Sequence, residues 1–140
     1  VPADSGSTVD PIPATDPIVD NGDAGSSSLG RWKVSSGKNP YGGSSLYSQT
    51  PGSEYVFETA LNGLREVQLW WTVTGNRCSR VPVEIYDGNT LLDVVEINQQ
   101  IDGGRWNTLG TYAFGGTARV VILSESSSCS TCADALRLLP

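Results

Sequence analysis

Asn98-Gln-Gln-Ile-Asp-Gly-Gly-Arg-Trp-Asn-Thr-Leu-Gly-Thr-Tyr112 is the stretch whose reading decides the fold. Val94, Val95 and Ile97 close one strand before it, and Trp106, Leu109 and Tyr112 open another. Asp102-Gly103-Gly104 carries turn chemistry, because glycine reaches the positive φ of a tight reversal without a steric penalty. The reading is a hairpin. Asn98, Gln99, Gln100 and Asn107 bring four side-chain amides to it. Amides satisfy backbone groups at irregular strand ends and also hydrogen-bond sugar hydroxyls, so they carry two expectations at once.

The flanking segments read as strands too. Residues 66–74 place Val67, Leu69, Trp71 and Val73 on one face and Gln68, Trp70 and Thr72 on the other. Residues 53–58 put Tyr55 and Phe57 on one face, and Asn62-Gly63 reads as a turn. Residues 81–86 and 90–97 make a hairpin across Asp87-Gly88-Asn89. Residues 106–114 and 117–124 make another across Gly115-Gly116, and 134–139 close the chain. Short strands are expected at 32–34 and 45–48. No segment keeps a 3.6-residue period. The expectation is an all-β, antiparallel β-sandwich with Trp71, Val83, Ile85, Val95, Trp106 and Val121 in its core.

At 140 residues the chain is long enough for one domain with a real core. Its net charge of −6, with 9 basic against 15 acidic residues, offers no basic stripe for nucleic acid or an anionic membrane. No apolar run approaches the roughly 18 residues of a membrane span. Histidine is absent, which removes the commonest general base and zinc ligand. The glutamates at 54, 58, 66, 84, 96 and 125 stand beside no catalytic motif, so the expectation is not an enzyme. A first residue of Val rather than Met reads as a processed, secreted chain, extracellular or at the cell surface.

Residues 1–17, VPADSGSTVDPIPATDP, read as an extended Pro/Asp/Ser-rich tail, in which prolines and aspartates exclude a helix and disfavour a central strand, with a disordered linker as the alternative. The domain proper is 18–140. Val9, Ile12, Ile18 and Val19 are the apolar anchors by which the tail would join a neighbouring molecule, so self-association is expected.

NQQ-x-x-GGRW-x-x-LGTY-x-F, with LWWT (69–72) before it and CADALRL (132–138) after, resembles the golvesin/xanthan-lyase C-terminal-like domain. IVDNGDAG (18–25), Trp32 and NPYGGSSLY (39–47) fit the same pattern. The resemblance implies a secreted, jelly-roll-like sandwich, an accessory module often attached to polysaccharide lyases and hydrolases. It also places Cys132 opposite the loop that carries Cys78, and so implies a Cys78–Cys132 disulfide. Cys129–Cys132 is the local alternative.

Three groups of residues carry functional expectations. Trp32, Tyr41, Tyr47 and Trp70, with the amide of Asn39, are candidates for a carbohydrate site, because aromatic rings stack on the C–H faces of sugars. Asp20, Asn21, Asp23 and Asp134 are oxygen ligands for a structural calcium ion; otherwise they cap turns, with Asp134 paired to Arg77 or Arg80. The tail anchors are the third. The reading is a non-catalytic secreted subunit of an extracellular filament, joined through its tail. The alternative is a carbohydrate-binding module for an extracellular polysaccharide.

Overall fold

Apolar side chains at every second position draw this chain into strands, and two strands run far beyond the segments the sequence suggests. In the computed structural model, which describes residues 17–140, β5 is Ser53–Trp70 and β8 is Trp106–Ser124. They pair antiparallel along their length, with Asn62 opposite Gly115 and Gly63 opposite Phe114. The turns expected at Asn62-Gly63 and Gly115-Gly116 are therefore corrected, since both sites lie inside strands. A straight strand of 18 residues would run about 60 Å, twice the roughly 30 Å of a small domain. Instead Phe57 near one end and Val67 and Leu69 near the other are buried in one core, while Asn62, Gly63 and Leu64 are exposed. Glycine permits a sharp bend within a strand, and here both strands bend from one layer to the other without reversing.

Each layer uses one half of each long strand. The first half of β5 pairs with β2 (Ser26–Leu29) and with the second half of β8, which continues to β6 (Val81–Asp87) and β7 (Thr90–Ile97). The second half of β5 pairs with β10 (Ala135–Leu139), and β1 (Ile18–Asp20) lies at its edge. A small sheet of β3 (Lys33–Val34), β4 (Leu46–Ser48) and β9 (Thr131–Ala133) completes the antiparallel, jelly-roll-like sandwich. Trp71, Val83, Ile85 and Val121 are buried as expected, and Val95 packs against the core. Trp106 does not: it is half-buried on the outer face.

The hairpin expected over residues 98–112 is also corrected. β7 pairs with β6 and β8 with β5, so residues 98–105 cross between layers. The amides serve the backbone there. Gln99, fully buried, donates from Nε2 to the Cys132 carbonyl at 2.9 Å and accepts the Cys132 N–H at Oε1 at 2.7 Å, as a neighbouring strand would. Gln100 donates to the Arg77 carbonyl, Asn107 to that of Asp102, and Asn98 accepts the Gln100 N–H.

Cys78 bonds Cys129, not Cys132, with Cα atoms 5.0 Å apart. The backbone explains the correction. Cys78 N–H donates to the Ser130 carbonyl and Ser130 N–H to that of Asn76, which sets Cys78 beside the loop end of this segment. Cys132 lies within β9 and turns its buried thiol toward Thr72.

Ile18 and Val19 belong to their own domain, which corrects their assignment as anchors for a neighbour. They pair with Arg137 and Leu136, and Val19 is 6% exposed. Beyond Pro17 the chain has its N–H groups back and can join the ladder at the β10 edge. Val9 and Ile12 lie outside the described residues.

Candidate functional site

With Val67, Leu69 and Trp71 committed to the core, Gln68 and Trp70 face outward at the end of β5. Trp106, at the start of β8, is opposite Trp70 in register, so the two share a face. Their ring centroids are 5.4 Å apart, edge to face. Tyr41, from a single 3-10 turn (Tyr41–Gly43), completes the group at 5.6 Å from Trp70 and 5.1 Å from Trp106. All three rings are half-buried. Arg137 of β10 lies over the Trp106 ring at 4.8 Å and donates to Gln68 Oε1 at 2.9 Å. Gln68 Nε2 donates to Glu66 and Thr108, and Thr108 donates to Glu66 at 2.6 Å. The face is an aromatic floor flanked by an amide, a hydroxyl, a carboxylate and a guanidinium.

Asn39 sits at its rim with φ 59°, its carbonyl accepting the Trp70 indole N–H at 2.9 Å. Behind Tyr41 lies a pair of carboxyl groups. Asp134, fully buried, accepts the Tyr41 N–H at Oδ2 at 2.9 Å and lies beside the Asp20 carboxyl. Burial pushes Asp134 up to about 7; the Tyr41 N–H opposes that rise and the nearby Asp20 carboxyl reinforces it. Burial likewise raises Asp20. Any side chain at Gly42 would strike the Asp20 carboxyl, so glycine lets the Tyr41 turn close over this pair.

The four calcium candidates are thus partly brought together. Asn21 Nδ2 donates to Asp20 Oδ1, the Ser44 carbonyl and Asp134 Oδ1, at 3.2, 2.7 and 3.3 Å. Asp23 instead caps its turn by accepting the Asp20 N–H. The Asn21 amide N–H₂ points at Asp20, Asp134 and the Ser44 carbonyl, and the described residues hold no group of three acidic, thiol or imidazole side chains able to bind a metal. Nor does Asp134 pair with arginine: Arg80 reaches Glu96 at 3.4 Å, and Arg77 bonds neutral acceptors.

The remaining aromatic candidates are elsewhere. Trp32 stands edge-on to Tyr55 at 5.5 Å and spends its indole N–H on the Leu29 and Glu54 carbonyls, a packing role. Tyr47 lines a groove across the small sheet, apart from Tyr41 and Trp70. Sequence reasoning missed Trp106 by assigning it to the core, and missed Gln68 and Arg137 altogether. The Trp70–Trp106 register is the signal that unites them.

Two solved carbohydrate-binding modules share this sandwich fold. A CBM36 in complex with calcium and xylotriose superposes with a TM-score of 0.61 at 10% identity, over 87% of this chain and 98% of that one. The CBM36-1 domain of a multidomain xylanase from the hindgut metagenome of Trinervitermes trinervoides gives 0.62 at 14%, over 90% and 98%. At such identities the likeness concerns the fold alone. The chain belongs to the golvesin C-terminal domain family, which matches residues 17–140. Paenibacillus xanthan lyase is similar at 29% identity with a TM-score of 0.78, over 87% of this chain but 12% of the lyase. None of the curated proteins is significantly similar in sequence.

Proposed function

We propose that this chain is a non-catalytic, secreted module that binds an extracellular polysaccharide through the face built by Tyr41, Trp70 and Trp106. The observation that carries the reading is the convergence of three half-buried rings from three separate segments beside Gln68, Thr108 and Arg137. Half-buried rings offer pyranose C–H groups a surface at little entropic cost, since packing already fixes them, although Arg137 already covers one face of Trp106. The exposed Thr108 hydroxyl and the Arg137 guanidinium suit sugar hydroxyls, while the buried Gln68 amide positions them by bonding Glu66, Thr108 and Arg137. Membership of the golvesin C-terminal family and likeness to carbohydrate-binding modules support the same reading. Among the described residues no helix is long and apolar enough to cross a membrane.

The filament reading is weaker. Two of its four anchors, Ile18 and Val19, are engaged in their own sheet. A glycan array of plant and bacterial polysaccharides tests the module reading. Binding to at least one extracellular polysaccharide is expected; a blank array against a folded chain would refute it.

A further inference from the structure

A second surface departs from the charge of the whole molecule. The register Lys33–Tyr47–Cys132 places these three side chains in one row on one face of the small sheet. A groove of about 270 Å³ on that face is lined by Ser35, Ser36, Tyr47, Gln49, Asn76 and Arg77, among others. It adjoins a smaller depression of about 70 Å³ that shares Tyr47 and Gln49 and adds Arg31 and Lys33. The chain carries a net charge of −6, yet no Asp or Glu lines either depression.

Arg77 forms the floor at 2% exposure. Its guanidinium donates to Thr72 O, Ser130 Oγ, Ser35 Oγ and Thr72 Oγ1 at 2.7, 2.8, 2.9 and 2.9 Å, all of them neutral acceptors. The ionisable groups that feel its charge are the Cys132 thiol and the Tyr47 phenol, not carboxylates. A buried guanidinium without an anion is a costly arrangement, and a protein that keeps one has positive potential to offer at the nearest opening. That opening is the groove. Ser35 Oγ accepts from Arg77 and from the Gly37 N–H, which leaves its own proton free for a ligand oxygen. A Cβ on Gly37 would collide with Thr72 and crowd Arg77 Nη2, so glycine alone lets the loop lie against this guanidinium.

We propose that the Tyr47 groove is a second saccharide subsite, selective for a sugar residue that bears a carboxylate. The Tyr47 ring takes the pyranose face, Gln49, Asn76 and the serine hydroxyls take its hydroxyls, and Arg31, Lys33 and Arg77 supply the complementary charge. This rests on the module reading above, and the experiment separates the two. An oligogalacturonate is titrated calorimetrically against the same oligomer with its carboxyl groups reduced to alcohols. The acidic oligomer should bind more tightly, and only its binding should weaken with added salt. Arg31→Gln with Lys33→Gln, two exposed positions, should cost the acidic oligomer about threefold to tenfold and leave the reduced oligomer unchanged. The Gln49 and Asn76 side-chain amide resonances should shift on titration. Equal affinity for the two oligomers, shifts confined to the Trp70 face, or equally tight binding of poly-glutamate would overturn the inference while leaving the module reading intact. Failure of every saccharide to bind would overturn both.

Discussion

Asp134 shows how much a single buried carboxyl can govern here. An unfolded aspartate ionises near pH 4, whereas the folded Asp134 keeps its proton up to about 7. Between those values the folded state binds more protons than the unfolded one, so its stability falls as pH rises and levels off above the folded pKa. Thermal melts from about pH 4 to about pH 8 should show that decline. Asp134→Asn keeps an acceptor for the Tyr41 N–H and should remove most of the slope; an unaltered slope would assign it to other groups. None of this was visible in the sequence. Asp20, Asn21 and Asp134 could be grouped by their positions near the two chain ends, but whether they bind a cation or one another depends on where the Asn21 amide points. Trp70 and Tyr41 were legible as candidates. Trp106 was not, because its outward direction follows from its pairing with β5 and not from alternation within β8.

Among the elements, alternation revealed the longer strands but neither the short β1, β2 and β9 nor where strands end. Asn62-Gly63 and Gly115-Gly116 carry residues that serve a reversal and a bend equally well, and the choice is made by the partner strand. The closing segment shows the same limit. Its neighbour-to-neighbour alternation sends the Cys132 thiol toward Thr72, leaving Cys129 at the loop end to meet Cys78. The disulfide ties the β5–β6 loop to the approach to β9 across 51 residues. Loop-closure entropy puts its contribution at about 4 kcal/mol. Urea unfolding of the Cys78→Ser, Cys129→Ser double variant should show a loss of that order. Alkylation under native conditions should leave Cys132 unmodified, since its thiol is buried. Peptide mapping that found Cys132 bridged would contradict the pairing.

For the whole molecule, composition, alternation and motif order point to the all-β sandwich, while the aromatic face follows only from the pairing of β5 with β8. The chain end that suggested assembly begins its described part as an edge strand, with the Leu138 N–H donating to the Pro17 carbonyl at 3.0 Å. Removing residues 1–20 should therefore destabilise the fold by about 2–3 kcal/mol more than removing residues 1–16, because Val19 leaves the core. Equal stability of the two truncations would place β1 outside the cooperative unit. The charge balance, which excluded nucleic acid from the sequence alone, concealed the basic groove, because a net total says nothing of distribution. The aromatic face on β5 and β8 is the central claim, and Trp70→Ala tests it most directly. Calorimetric titration of wild type and variant with a polysaccharide found on the array should show a loss of about 1–3 kcal/mol in binding free energy, with the circular dichroism spectrum unchanged. A folded Trp70→Ala chain that binds as tightly as wild type would contradict it.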